Sequence, residues 1–147
     1  MELESTRFGI ITLDEAEVIR FKKGLYAFED EKEFVILEED DSPFFYLHAV
    51  NNPDLCFVVT EPGNFYEDYE FKLGKKAKND LQLESPDDVL VINLVVIPDD
   101  YKKMTINLKA PIVINQREQL GRQIIIDEPD YPVRQEIFSA EKSQSAS

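Results

Sequence analysis

Nine consecutive residues, Val89-Leu90-Val91-Ile92-Asn93-Leu94-Val95-Val96-Ile97, are apolar at every position but Asn93. A strand with one face in water alternates apolar and polar side chains, so a run without alternation needs cover on both faces. β-Branched residues dominate the run, which disfavours a helix, and Pro98 closes it. It reads as the central strand of a core around which the rest of the chain must wrap.

Other short runs rich in Val, Ile, Phe and Tyr read as strands at Phe8–Leu13, Val18–Phe21, Glu33–Leu37, Phe44–Val50, Leu55–Thr60, Tyr66–Leu73, Thr105–Leu108, Ile112–Asn115 and Gln119–Asp127. Turn-forming clusters separate them, among them Asp40-Asp41-Ser42-Pro43, Asn51-Asn52-Pro53-Asp54, Glu61-Pro62-Gly63-Asn64 and Pro98-Asp99-Asp100. Many short strands with close turns predict a mostly β fold, a small antiparallel β-barrel or barrel-like sandwich with one or two short helices. Asp14 either caps one helical turn ending at Glu17 or sits in a β-turn, and Lys75–Leu83 is the second helical candidate. With 147 residues the chain holds one domain, placed at 1–138, while the small polar residues 139–147 predict a disordered tail.

Thirty Asp and Glu against sixteen Lys and Arg give a formal net charge of −14. That charge disfavours direct binding to nucleic acid or to an anionic membrane, and it steers basic protein partners. Acidity alone also serves solubility. The polar start MELESTRF has no apolar signal core, no run reaches membrane-spanning length, and Cys56 is the only cysteine. A cytosolic protein with an inert, buried thiol is expected.

Catalytic chemistry finds little to work with. The lone His48 lies in a strand and reads as structural. One His and one Cys do not assemble a nitrogen–sulfur metal site, and no Gly-flanked Ser forms a nucleophile elbow. The five glycines are scattered, so no phosphate-cradling loop is present. Acidic pairs at Glu38-Glu39-Asp40-Asp41, Asp87-Asp88, Asp99-Asp100 and Asp127-Glu128 lack Ca²⁺-loop spacing and read as solvated loop tips. No enzyme activity, metal or cofactor is expected.

Several motifs, in order, resemble the FliW family. Phe21-Lys22-Lys23-Gly24-Leu25-Tyr26-Ala27-Phe28 is similar to the family's Phe-x-x-Gly-Ile-x-Gly-Phe stretch, with Tyr26 and Ala27 where the family usually has Pro and Gly. Asp54–Thr60 resembles its Leu-Ala-Phe-x-Val strand, and Asp68-Tyr69-Glu70-Phe71 its Asp-Tyr-Glu-Phe signature. Asn107–Asn115 resembles its Asn-Leu-x-Ala-Pro-Ile-x-Ile-Asn signature, and Tyr131–Arg134 its closing Tyr-x-x-Arg. The resemblance implies a non-enzymatic β-barrel with two protein partners, flagellin before export and the RNA-binding repressor CsrA. It also implies antagonism of CsrA away from the RNA site.

Three stretches are candidate binding surfaces. Phe65, Tyr66, Asp68, Tyr69 and Glu70 mix aromatic anchors with acids, as a hot spot for a basic partner would, although alternate aromatics there serve a core equally well. Asp99, Asp100 and Tyr101 with Met104 form a second. In the third, Ala110, Pro111, Ile112 and Asn115, the proline places the strand at a sheet edge or marks its start; it either receives a partner strand or completes the barrel. The competing functions are a ligand-binding barrel or carboxylate enzyme, and a chaperone that only shields flagellin. A deep pocket with convergent acids would favour the former, a filled interior with an acid-ringed apolar patch a partner-binding protein.

Overall fold

A computed structural model describes residues 1–127 and 131–138, so the expected tail at 139–147 and Glu128 lie outside the described residues. The strands are β1 (Glu2–Ser5), β2 (Gly9–Thr12), β3 (Ile19–Arg20), β4 (Glu33–Leu37), β5 (Phe44–Ala49), β6 (Cys56–Thr60), β7 (Val89–Val96), β8 (Thr105–Ile106), β9 (Ile112–Asn115), β10 (Leu120–Gln123) and β11 (Gln135–Glu136). An α-helix, α1, spans Lys75–Asp80. β1 and β2 form a separate hairpin. In the main sheet, neighbours run β7-β6-β5-β4-β3-β10-β9, and β9 pairs back onto β7, closing a ring. All of these pairings are antiparallel except the bridge between β10 and β3.

The central-strand reading holds for Val89–Val96, since β7 contacts three strands, but cover on both faces fails at its end, where Val96 and Ile97 are exposed. Val95 faces Val58 of β6 and Ile106 of β8, while Val89–Ile92 pair with β9. The chain from β8 to β9 follows one edge of β7 with an excursion between them. Asn107 stitches that excursion: its Oδ1 accepts from the backbone of Lys109 (3.1 Å) and Ala110 (3.0 Å).

The interior is filled. Phe21, Leu25, Phe34, Leu47, Val59, Ile92, Ile112 and Ile114 form the principal core, with Phe21 and Phe34 edge to face at 5.3 Å. Gly121 is required beneath Phe21, where a Cβ would lie 2.4 Å from the ring. Buried polar groups are mostly satisfied. His48 is fully buried; its Nδ1 donates to the Ala49 carbonyl (2.7 Å) and its Nε2 accepts from Ser5 Oγ (2.9 Å), pinning the β1–β2 hairpin. This is the structural role expected of it.

Several local expectations change, and the strand expected over Gln119–Asp127 ends at Gln123. Tyr66–Leu73 is not a strand: Pro62–Asn64 form a 3-10 turn, and further turns between Pro62 and Tyr66 and between Tyr66 and Tyr69 curl the chain. The second helix ends at Asp80, short of Leu83, and Gln82 takes a positive φ of 53°. β1 and β11 had no sequence signal strong enough to mark them. Cys56 is half-buried, and burial pushes its thiol up from the ordinary range. Asp14 is a cap: its Oδ1 accepts from Ala16 N (3.0 Å) at the start of a 3-10 turn over Glu15–Glu17.

Candidate partner-binding surface

A groove of about 940 Å³ opens on the surface. Five ring strands contribute to its floor: Ile19 from β3, Ile36 from β4, Phe45 from β5, Leu90 from β7 and Ile114 from β9. Its rim comes from turns. The β4–β5 connection supplies Glu38, Glu39 and Ser42, with Asp41 at φ 58°, a left-handed position that Asp tolerates. Glu17 and Glu61 complete a rim of four carboxylates, and among the described residues no Lys or Arg lines the groove.

One wall is organised by Tyr46. Its ring meets Phe8 edge to face at 5.0 Å, and the Arg7 guanidinium lies 4.6 Å from its centroid. The Tyr46 hydroxyl donates to Glu39 Oε2 (2.9 Å) and accepts from Arg7 (3.3 Å). Partial burial, then the bond to Glu39, raises its pKa, so it remains a neutral donor. Apolar floor, aromatic wall and acidic rim together suit an apolar segment carrying Lys or Arg.

The sequence-derived candidates separate. Phe65 is half-buried and stacks on Phe44 at 5.8 Å, beside the groove whose lining includes Phe44 and Asn64. Tyr66 packs partly into the core formed by Val95, Met104 and Ile106. Tyr69 is a tie within the fold: its hydroxyl donates to the Leu108 carbonyl (2.6 Å) and accepts from Asn93 Nδ2 (3.2 Å), and Tyr131 packs on its ring at 4.7 Å. Burial pushes the Tyr69 phenol up to about 12. Asp68 and Glu70 are exposed.

Asp99, Asp100 and Tyr101 are exposed, beside the exposed Val96 and Ile97. Asp100 caps the 3-10 turn Tyr101–Lys103 through Lys102 N (3.1 Å), and Met104 is buried beneath. Ala110, Pro111, Ile112 and Asn115 are all buried. β9 has β10 on one side and β7 on the other, so of the two readings of Pro111 the start of a strand is correct and the free edge is not. Its strand completes the ring and offers no edge to a partner.

Sequence reading passed over Phe8, Glu17, Tyr46 and Glu61, and took Glu38 and Glu39 as solvated tips. The usable signal was the acidic tetrad 38–41 abutting the aromatic run Phe44–Tyr46, which a short turn folds onto one surface.

Among the described residues no cluster of three or more His, Cys, Asp or Glu is placed to hold a metal ion. Nor is any helix among them long and apolar enough to cross a membrane.

The fold and surface define a small all-β domain with a filled ring and one acid-rimmed, apolar-floored groove. A family profile described as FliW protein matches residues 2–137. The chain is 41% identical over 136 residues to the flagellar assembly factor FliW of Caldicellulosiruptor saccharolyticus, covering 92% of this chain and 90% of that one. It is likewise 41% identical to the protein of that name from Desulfitobacterium hafniense, over 98% of this chain and 95% of the relative. A solved structure described as the flagellar assembly factor FliW superposes with a TM-score of 0.88 at 33% identity, covering 94% of this chain and 97% of the other. The chain belongs to the FliW family of flagellar assembly factors.

Proposed function

We propose that this protein is a non-catalytic, partner-switching regulator of flagellar assembly in the cytoplasm. It holds flagellin before export; once flagellin has left, it binds a CsrA-type RNA-binding repressor away from the RNA site and relieves repression of flagellin translation. The observation that carries this reading is the groove, whose four rim carboxylates face no lining cation among the described residues, above a part-buried apolar floor. An RNA-binding repressor must carry Lys and Arg to meet phosphates, and a surface of this kind attracts such a protein. Carboxylates left unpaired after docking would repel nearby RNA within a Debye length of about 8 Å. The filled core and open, apolar-floored groove favour a protein partner over a small substrate.

The test is calorimetry with purified flagellin and purified CsrA-type repressor, using the wild type and the double variant Glu38→Lys/Glu39→Lys. Binding of both partners by the wild type, with the repressor's affinity reduced at least about tenfold in the variant, is expected. Absence of affinity for either partner overturns the reading. Antagonism of RNA binding that persists undiminished at high salt would remove its electrostatic part.

A further inference from the structure

One corner of this acidic molecule is basic. Arg20 on β3, Lys22 and Lys23 after it, and Arg122 on β10 line a recess of about 70 Å³, floored by Leu81, Leu120 and Gly121. We propose that this recess binds a single phosphate-type oxyanion, gripped by Arg20, Lys22, Lys23 and Arg122 with Lys76 alongside. The volume is roughly that of two liquid-phase water molecules, the scale of one small tetrahedral anion and far too small for a peptide side.

The charge balance is local and lopsided. Five of the chain's sixteen cations gather here, against one lining carboxylate, Asp80. Arg122 ion-pairs with Asp80, and Lys23 Nζ reaches the same Oδ2 at 3.9 Å. Among the described residues Arg20, Lys22 and Lys76 have no ion-pair partner. The Lys23 ammonium is held below the ordinary lysine range, first by the Arg122 guanidinium and then by Lys76, with Asp80 acting in the opposite sense. Like charges that crowd one another in this way gain when a dianion enters between them. The chain's net charge of −14 does not cancel this, because charges beyond about 8 Å are largely screened at physiological salt.

The recess is also built on rigid elements. Arg20 pairs in register with Leu120 across the β10–β3 bridge, and Arg20 N donates to Gln119 O at 2.9 Å. Gly121 lies on β10 next to Arg122 and lines the recess, while on its other side the Phe21 ring packs where a Cβ would stand. Arginines rooted on adjacent strands suit the bidentate contacts that phosphate oxygens accept.

The proposal is tested by titrating inorganic phosphate into the isotope-labelled full chain and following backbone amide resonances, with chloride at matched ionic strength as reference. Saturable shifts confined to residues 20–23, 76–80 and 120–122 are expected with phosphate alone. Lys23→Glu should weaken the association at least about tenfold. Lys102→Glu makes the same change in net charge on the distant 3-10 turn and should leave it within about twofold. Glycerol phosphate, run in parallel, distinguishes sources: equal affinity marks free phosphate as the ligand, and tighter binding marks a phosphate carried on a larger molecule. Shifts that chloride reproduces, or equal weakening by the two charge reversals, overturn the proposal.

Discussion

Two apolar-rich stretches of this chain, Ala110–Asn115 and Pro43–Tyr46, meet opposite fates. The first is buried throughout and bordered by strands on both sides. The second leaves Phe44, Phe45 and Tyr46 half-exposed on the groove, beneath an acidic turn. The Asn- and Pro-containing motif Asn107–Asn115 includes the first region, whereas the acid-rimmed groove lies against the second. A motif built from Asn and Pro is recognisable because backbone excursions need fixed hydrogen-bond partners. An acidic rim needs only charge, which many sequences supply.

If the first region is the frame, its polar side chains should matter for stability and not for binding. Asn115 is the strongest case: its Nδ2 donates to Leu81 O (2.7 Å) and Gln82 O (3.2 Å), and its Oδ1 accepts from Arg117 N (3.0 Å) and Glu118 N (3.2 Å). Asn115→Ala should lower the unfolding free energy by about 3 kcal/mol in denaturant titration. A loss below about 1 kcal/mol would break the comparison.

Tyr69 comes next. Tyr69→Phe should cost about 1–2 kcal/mol, because the Leu108 carbonyl and the Asn93 amide both lose a partner. The unfolded phenol titrates near 10 and the folded one at about 12, so between those values the unfolded state has shed a proton that the folded state keeps. Stability therefore falls as pH rises from 10 to 12, and alkaline unfolding of Tyr69→Phe should show a shallower fall over that range.

The third prediction has the opposite sign. In the turn Leu25–Phe28, closed by Phe28 N to Leu25 O at 2.8 Å, the third residue Ala27 has φ 71°. A positive φ there belongs to a type II turn, which favours Pro second and Gly third, the residues the family usually carries. Ala27 thus holds a left-handed position at a cost in strain. Ala27→Gly should raise the melting temperature, with a gain of about 0.5–1 kcal/mol. Tyr26→Pro should not add to it, since Tyr26 N donates to Gln123 Oε1 (2.9 Å).

The smallest stability effect belongs to the second region. Glu38→Gln/Glu39→Gln should leave the unfolding free energy within about 0.5 kcal/mol, as both carboxylates are exposed. A larger loss would make the rim part of the frame.

Periodicity made much of the fold legible: the unbroken apolar run gave β7, and β4, β9 and most of β5 and β6 stood within a residue of their expected limits. The misses have physical causes. Tyr66–Leu73 alternates like a strand, but Tyr69 spends its hydroxyl on the Leu108 carbonyl and holds the segment irregular. β11 is two residues long, too short for any period to show. The candidate surface was harder to read, because aromatic and acidic residues occur both in core ties and on partner faces. Burial, which decided between them for Tyr69 and Met104, depends on ring closure between residues far apart in sequence.

That closure also sets an order of events during synthesis. β3 ends at Arg20, and its neighbour on the far side, β10, begins a hundred positions later at Leu120. A nascent chain leaving the ribosome therefore carries an unpaired β3 edge until Leu120 has emerged. Such delayed, long-range pairing folds slowly and exposes sticky edges meanwhile. A surplus of negative charge keeps those waiting chains apart, so the same acidity that marks the finished groove also protects its unfinished precursor.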